Sequence, residues 1–198
     1  MASSENYLEE FRRFLPMYLS QDAKEDLFKE LKQFPDNIDS RLYTTVQPDE
    51  QAIFQGDGLP DVYISDLPRD RVKTAPVMVI SNSCDTAPRK EGMHQGNLLY
   101  CPIMKLENYA KAFTVSDDLL NTIRKNKVST MFYLPFHAKV GGEAVALMDR
   151  INNCPISDLD STKLIENRLF TLSLYGFYLL LFKISIHLTR MREGLSRT

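Results

Sequence analysis

The chain has 198 residues, with 24 Lys and Arg against 26 Asp and Glu and a formal net charge of -2. That length suits one domain with a sizeable core, or a smaller domain with helical additions, and the even spread of charge excludes a strongly basic nucleic-acid binder while leaving room for a local basic patch. Cys84, Cys101 and Cys154 form no CxxC pair, and His94, His137 and His187 are scattered. The chain therefore has neither a disulfide framework nor zinc-ligand spacing, which points to a reducing, cytoplasmic setting without metal or cofactor.

Residues 1–40 read as a helical extension. Ser3 or Ser4 caps a first helix, in which Tyr7, Phe11, Phe14 and Leu15 recur at helical spacing, and Pro16 breaks it. Ser20 caps a second, whose Leu27, Leu31 and Phe34 form one stripe before Pro35-Asp36-Asn37 ends it. The segment Met1 to Phe11 is acidic and amphipathic, without the apolar centre of a signal peptide.

From residue 41 to 156 the period shortens to that of strands. Leu42 to Val46 and Val62 to Ile64 read as short strands, separated by the turn chemistry of Gly56-Asp57-Gly58. The apolar run Val77 to Ile80 opens after Pro76 and stops in Ser81-Asn82-Ser83-Cys84-Asp85, as a buried strand does when it delivers a polar cluster to a sheet end. Leu98 to Ile103 is a further strand beyond the polar loop 85–97, and Ser116 caps a helix from Asp117 to about Lys125. Thr130 to Leu134 and Glu143 to Met148 flank Val140-Gly141-Gly142, a hairpin turn. Short strands with turn signals and one helix predict an α+β chain built on a small curled antiparallel β-barrel.

Residues 157–198 predict a long apolar C-terminal helix, from Asp158 or Ser161 to about Arg192. Leu169 to Leu188 just reaches the roughly 20 apolar residues of a membrane span. Lys183 opposes that reading, since a central lysine costs about 2.5–3.5 kcal/mol on insertion scales. A core or interface helix is the other reading, and it makes the segment an element for a protein partner or a homo-oligomer.

In its middle, the chain resembles the MazF/PemK family of toxin barrels. The resemblance rests on Gly56-Asp57 before a strand, the strand Pro76 to Asn82, the turn Tyr100-Cys101-Pro102-Ile103, and the closing strand Ala144 to Ile151. It implies an endoribonuclease of toxin-antitoxin or phage-defence type, acting on RNA without metal, usually a dimer and inhibited by an antitoxin peptide. Attack of the ribose 2′-hydroxyl on phosphate needs a base, an acid and a cation for the phosphorane. The family places an arginine before the strand's proline and a hydroxyl in the later turn; here Ala75 and Met104 stand there.

The site expected on this resemblance is Asp57, Lys73 and Asp85 as catalytic residues, with Ser81, Asn82, Arg89 and Lys105 holding RNA. A competing site is a Cys84 nucleophile near His94 or His137, with a small structural cysteine and an Asp85 turn as the plainer reading. If the barrel has lost its chemistry, the chain is a non-catalytic interaction module working through its C-terminal helix, and if that helix inserts, a membrane-associated effector.

Overall fold

The computed structural model describes residues 38–46, 52–66, 68, 69, 71–86 and 96–189, with Glu25 and Lys29 as isolated helical positions. The first expected helix, most of the second, Arg89 with the loop around it, and residues 190–198 lie outside the described residues. The rest is a mixed α+β chain built on six antiparallel strands: β1 Gly58–Ser65, β2 Val72–Val79, β3 Asn97–Lys105, β4 Met131–His137, β5 Gly142–Leu147 and β6 Asn152–Pro155. Their order is β1-β2-β3-β5-β4, with β6 paired to β3, and the sheet is not closed.

Local chemistry explains the ladder. Pro76 lies just outside the stretch of β2, Val77 to Val79, that pairs with β3, so its missing N–H breaks no ladder bond there. Opposite it the β1–β2 register shifts between Leu59 and Val62, where Asp61 takes a φ of 48°. The β4–β5 hairpin turns on Gly141 and Gly142 at φ 75° and 150°, a backbone that suits glycine.

Among the described residues, four helices pack on the sheet: α1 Leu106–Phe113, α2 Asp117–Arg124, α3 Ser161–Glu166 and α4 Leu174–Thr189. Ser116 caps α2 as its sequence predicts, accepting from Leu119 N–H at 3.3 Å. Strand alternation sorts the core. Met78, Cys101, Phe132, Leu134, Ala144 and Ala146 face α4, whose Tyr175, Tyr178, Leu179 and Leu180 complete that cluster. On the other face, Leu59, Val77, Val79, Leu98 and Tyr100 pack with Leu164 of α3, while Met131, Tyr133, Val145 and Leu147 pack with Leu106 and Ile123.

Two expectations are corrected. The strand expected over Leu42 to Val46 is a 3-10 turn, Ser40–Leu42, because Asp39 caps it by accepting from Arg41 N–H at 3.0 Å; only Tyr43 makes an isolated bridge, to Leu172. The continuous terminal helix divides at Asn167. Leu169 N–H donates to Gly58 O at 2.8 Å and Gly58 N–H to Phe170 O at 2.9 Å. Residues 168–173 thus form an extended strap along the start of β1, and a helix resumes only at Leu174. Among the described residues, no helix is long and apolar enough to cross a membrane.

Lys183, the residue that opposed a span, is 3% exposed and donates to the backbone carbonyl of Asn126. Asn126 takes a left-handed φ of 53°, and its side-chain Oδ1 accepts from Tyr133 N–H at 2.9 Å. One residue thereby ties α2, β4 and α4 together. Burial pushes the Lys183 ammonium from 10.5 down to about 8. Between those values the unfolded chain binds a proton that the folded chain has released, so this group's contribution to stability rises with pH across that window. Chemical denaturation from pH 7.5 to 10 will show a rise for the wild type relative to Lys183→Met; parallel pH profiles would refute it.

A buried clamp and an exposed Arg-Glu-Tyr cluster

At one end of the sheet, the sequence-predicted polar run turns inward. Gly56 N–H donates to Val79 O and Val79 N–H to Asp57 O, each at 2.9 Å, which fastens the loop before β1 to the end of β2. Ser81 is buried, and its Oγ accepts from Leu99 N–H at 2.7 Å. Ser83 Oγ accepts from Gln55 N–H at 3.0 Å, Gln55 Nε2 donates to Ile80 O at 2.7 Å, and Thr86 Oγ1 donates to Ile53 O at 2.6 Å. Asn82 Oδ1 accepts from Cys84 N–H at 2.9 Å and opens the single helical turn Ser83–Thr86. These side chains satisfy backbone groups. Asp85 and Cys84 stay exposed on that turn.

Asp57 is fully buried. Its carboxylate accepts from Phe54 N–H and from Thr171 Oγ1, each at 2.8 Å, and lies 3.4 Å from Arg168 Nε. The Arg168 side chain is 10% exposed, donates to Ala52 O and to Thr171 Oγ1, and stands over the Phe54 ring at 5.6 Å. Burial pushes the Asp57 carboxyl up to about 6, against the Phe54 amide, Arg168 and Thr171, which pull it down. No surface of Asp57 is open to an RNA ribose; the residue is a clamp between the loop and the strap. Asp57→Ala leaves a buried guanidinium unpaired, so urea denaturation at pH 7 should show a loss of about 3–5 kcal/mol; a loss below about 1 kcal/mol would mean that Arg168 finds water instead.

The described residues of the expected site are therefore only partly brought together. Asp57, Ser81, Asn82 and Asp85 gather at this end. Lys73, exposed and paired with Ile64, lies near the start of β2, about 20 Å from Val79 at the usual strand rise. Lys105 ends β3 opposite Ala144 of β5, likewise far from Tyr100, the residue that Val79 pairs. His137 lies at the end of β4, stacked edge-on against Tyr43 at 4.8 Å, with burial and Lys139 holding its pKa below the usual value.

Lys105's end of the sheet carries a cluster that the sequence reading missed. Met104 and Tyr133 are both register partners of Val145, and the three side chains share one face and one core cluster. Two residues before Val145, and so on the same face, stands Glu143. Tyr133 Oη donates to Glu143 Oε1, while Arg124 of α2 donates from Nε to Oε1 at 3.0 Å and from Nη2 to Oε2 at 2.8 Å. Arg124 and Glu143 are 42% and 34% exposed, whereas Tyr133 is buried. The Arg124 hydrogen bonds hold the Glu143 carboxyl below the usual carboxylate range, and Glu143 in turn raises Arg124. Burial, then the Glu143 hydrogen bond, pushes the Tyr133 phenol up. At neutral pH the cluster therefore presents an ionised carboxylate, a protonated phenol and a forked cation that reaches solvent.

Among the described residues, no group of His, Cys, Asp and Glu is placed to hold a metal ion. No family model matches the chain, and no curated protein matches it.

Proposed function

We propose that the chain is a MazF/PemK-like protein that binds single-stranded RNA and cleaves it without metal, with the curled sheet of that family as its platform and toxin-antitoxin or phage defence as its setting. The observation that carries this reading is the Arg124-Glu143-Tyr133 cluster. It lies on the same face as Met104, one of the two positions where the family's own catalytic groups are missing. The chemistry is displaced onto β4, β5 and α2 rather than absent.

In this reading Glu143 accepts the proton of the ribose 2′-hydroxyl, whose oxygen forms a bond to phosphorus as the bond to the 5′-oxygen breaks. Arg124 turns its fork from Glu143 to the phosphorane oxygens, a geometry that lysine lacks. Tyr133 holds Glu143 in place from beneath, and water protonates the leaving 5′-oxygen. Lys73 and Lys105, both toward this end of the sheet, supply cations for neighbouring phosphates.

A mixed single-stranded RNA pool incubated in EDTA tests this. Wild type cleaves; Glu143→Gln loses about 10²–10⁴-fold in rate, the span of general-base removal. Arg124→Lys falls comparably, while Asp85→Ala leaves the rate unchanged. Lys73→Ala keeps the rate at saturation but weakens binding and lowers the salt slope by about one unit. Cleavage that survives Glu143→Gln would end the assignment of the base. RNA left uncleaved by folded wild type would favour the second reading, a non-catalytic interaction module working through its C-terminal helix, which Ala75 and Met104 in place of the family's arginine and hydroxyl support.

A further inference from the structure

We infer that Asn126 is a positioning residue for the Arg124-Glu143-Tyr133 cluster: its side-chain oxygen locks the helix end that carries Arg124 to the strand that carries Tyr133. As a contribution to catalysis this rests on the ribonuclease reading; as a lock on the cluster it stands on geometry alone.

α2 ends on Arg124 and is closed by a left-handed turn. Asn126 N–H donates to Ile123 O at 2.8 Å and Lys127 N–H to Thr122 O at 3.0 Å, with Asn126 at φ 53° between them. Glycine suits this position best, since it has no Cβ to strain. What asparagine adds there is a side chain, two residues beyond the cation.

One end of that side chain is committed and the other is idle. Oδ1 accepts from Tyr133 N–H at 2.9 Å. Nδ2 is buried and has no hydrogen-bond partner among the described residues, and Asn126 as a whole is 3% exposed. A buried donor left unpaired costs stability, a cost that glycine would avoid. For the stability of the turn alone asparagine is therefore a poor choice; its gain is the bond to Tyr133.

That bond completes a ring through the cluster. Arg124 and Asn126 stand two residues apart at the end of α2, and Arg124 meets the Glu143 carboxylate through Nε and Nη2. Tyr133 donates to the same carboxylate through its phenol and to Asn126 through its amide. β4 and β5 are held to each other by their own ladder, so the bond from Asn126 is what ties the end of α2 to them directly. Lys183 donates to the backbone carbonyl of Asn126 and leaves Oδ1 to Tyr133.

Asn126→Gly isolates the side chain, because it keeps the left-handed turn and the carbonyl that Lys183 uses. Its thermal midpoint is expected at or above that of wild type. The Arg124 Nε proton, followed by NMR in the full-length protein, will nevertheless exchange about fivefold faster, the effect of losing one net hydrogen bond. Asn126→Asp retains the acceptor and will hold the wild-type exchange rate within about twofold. In the RNA assay Asn126→Gly will lower kcat about tenfold and leave KM unchanged, as misplacement of a catalytic group does. Unchanged Arg124 exchange in folded Asn126→Gly would overturn the inference. So would exchange in Asn126→Asp that is about fivefold faster than in wild type, an arm that still decides if the glycine variant fails to fold. Arg124 exchange reads the lock without RNA, so a wild type that cleaves nothing would sink the ribonuclease reading separately.

Discussion

The architecture depends on the buried pairing of Asp57 with Arg168. Taking two charges out of water is expensive, and a pair of this kind contributes little net stability compared with apolar residues of the same size. What it fixes is geometry. Arg168 has more donors than one carboxylate can absorb, and it directs the others to Ala52 O and Thr171, while Lys139 Nζ caps its backbone carbonyl at 2.8 Å. The strap is thereby fixed to the loop before β1 and to the β4–β5 hairpin. Phe170 and Leu172 then enter the core on alternate positions, and α4 begins where the sheet needs cover. Within the run itself Ser173 marks the start of the helix, its Oγ accepting from Gly176 N–H at 3.1 Å; the clamp fixes where the strap before it lies.

This explains which features were legible in the sequence. β2, β3, the Gly141-Gly142 turn and the Ser116-capped helix carry punctuation within a few residues: a proline, a glycine pair, a capping hydroxyl. The strap has an alternating pattern too, Phe170 and Leu172 inward, but it is embedded in a longer apolar run and reads as helix until Arg168 is given a partner 111 positions upstream, at Asp57. α1 has neither an N-terminal side-chain cap nor a glycine stop, ending instead on Thr114 at φ 50°, and so left no terminal signal. β6 is four residues long and is defined by β3, not by its own composition.

The candidate sites divide in the same way. Ser81 to Asp85 looked like a site because polar residues at a strand end often are one, yet Ser81, Asn82 and Ser83 serve backbone amides at short range. Such groups are spent on holding loops in register. The Arg124-Glu143-Tyr133 cluster draws one residue each from a helix and two strands, and only the β4–β5 register and the packing of α2 make them neighbours. Spacing along the chain carries no trace of that convergence. In the legible polar run Ser81, Asn82 and Ser83 are spent on the backbone while Cys84 and Asp85 stay exposed; the illegible cluster is the one that joins a carboxylate, a phenol and a guanidinium.

The two ends of the sheet therefore divide the work. At the clamp end, Asp57, Ser81 and Thr86 are buried and committed to the backbone, Thr171 and Arg168, which makes a rigid anchor. At the Lys105 end, the charged groups are half-exposed, and the Arg124-Glu143 fork can exchange partners at small desolvation cost because water already reaches both. α4 links the ends through its core. Its first turn is fixed by Leu42 and the strap, and Lys183, just past its middle, is fixed to Asn126, whose Oδ1 in turn holds the Tyr133 amide. A shift of α4 along its axis would pull on Asn126 and, through it, on the strand that positions Tyr133 under Glu143. The clamp thus bears on the exposed cluster mechanically, through one helix and one left-handed asparagine, with no charged path between them.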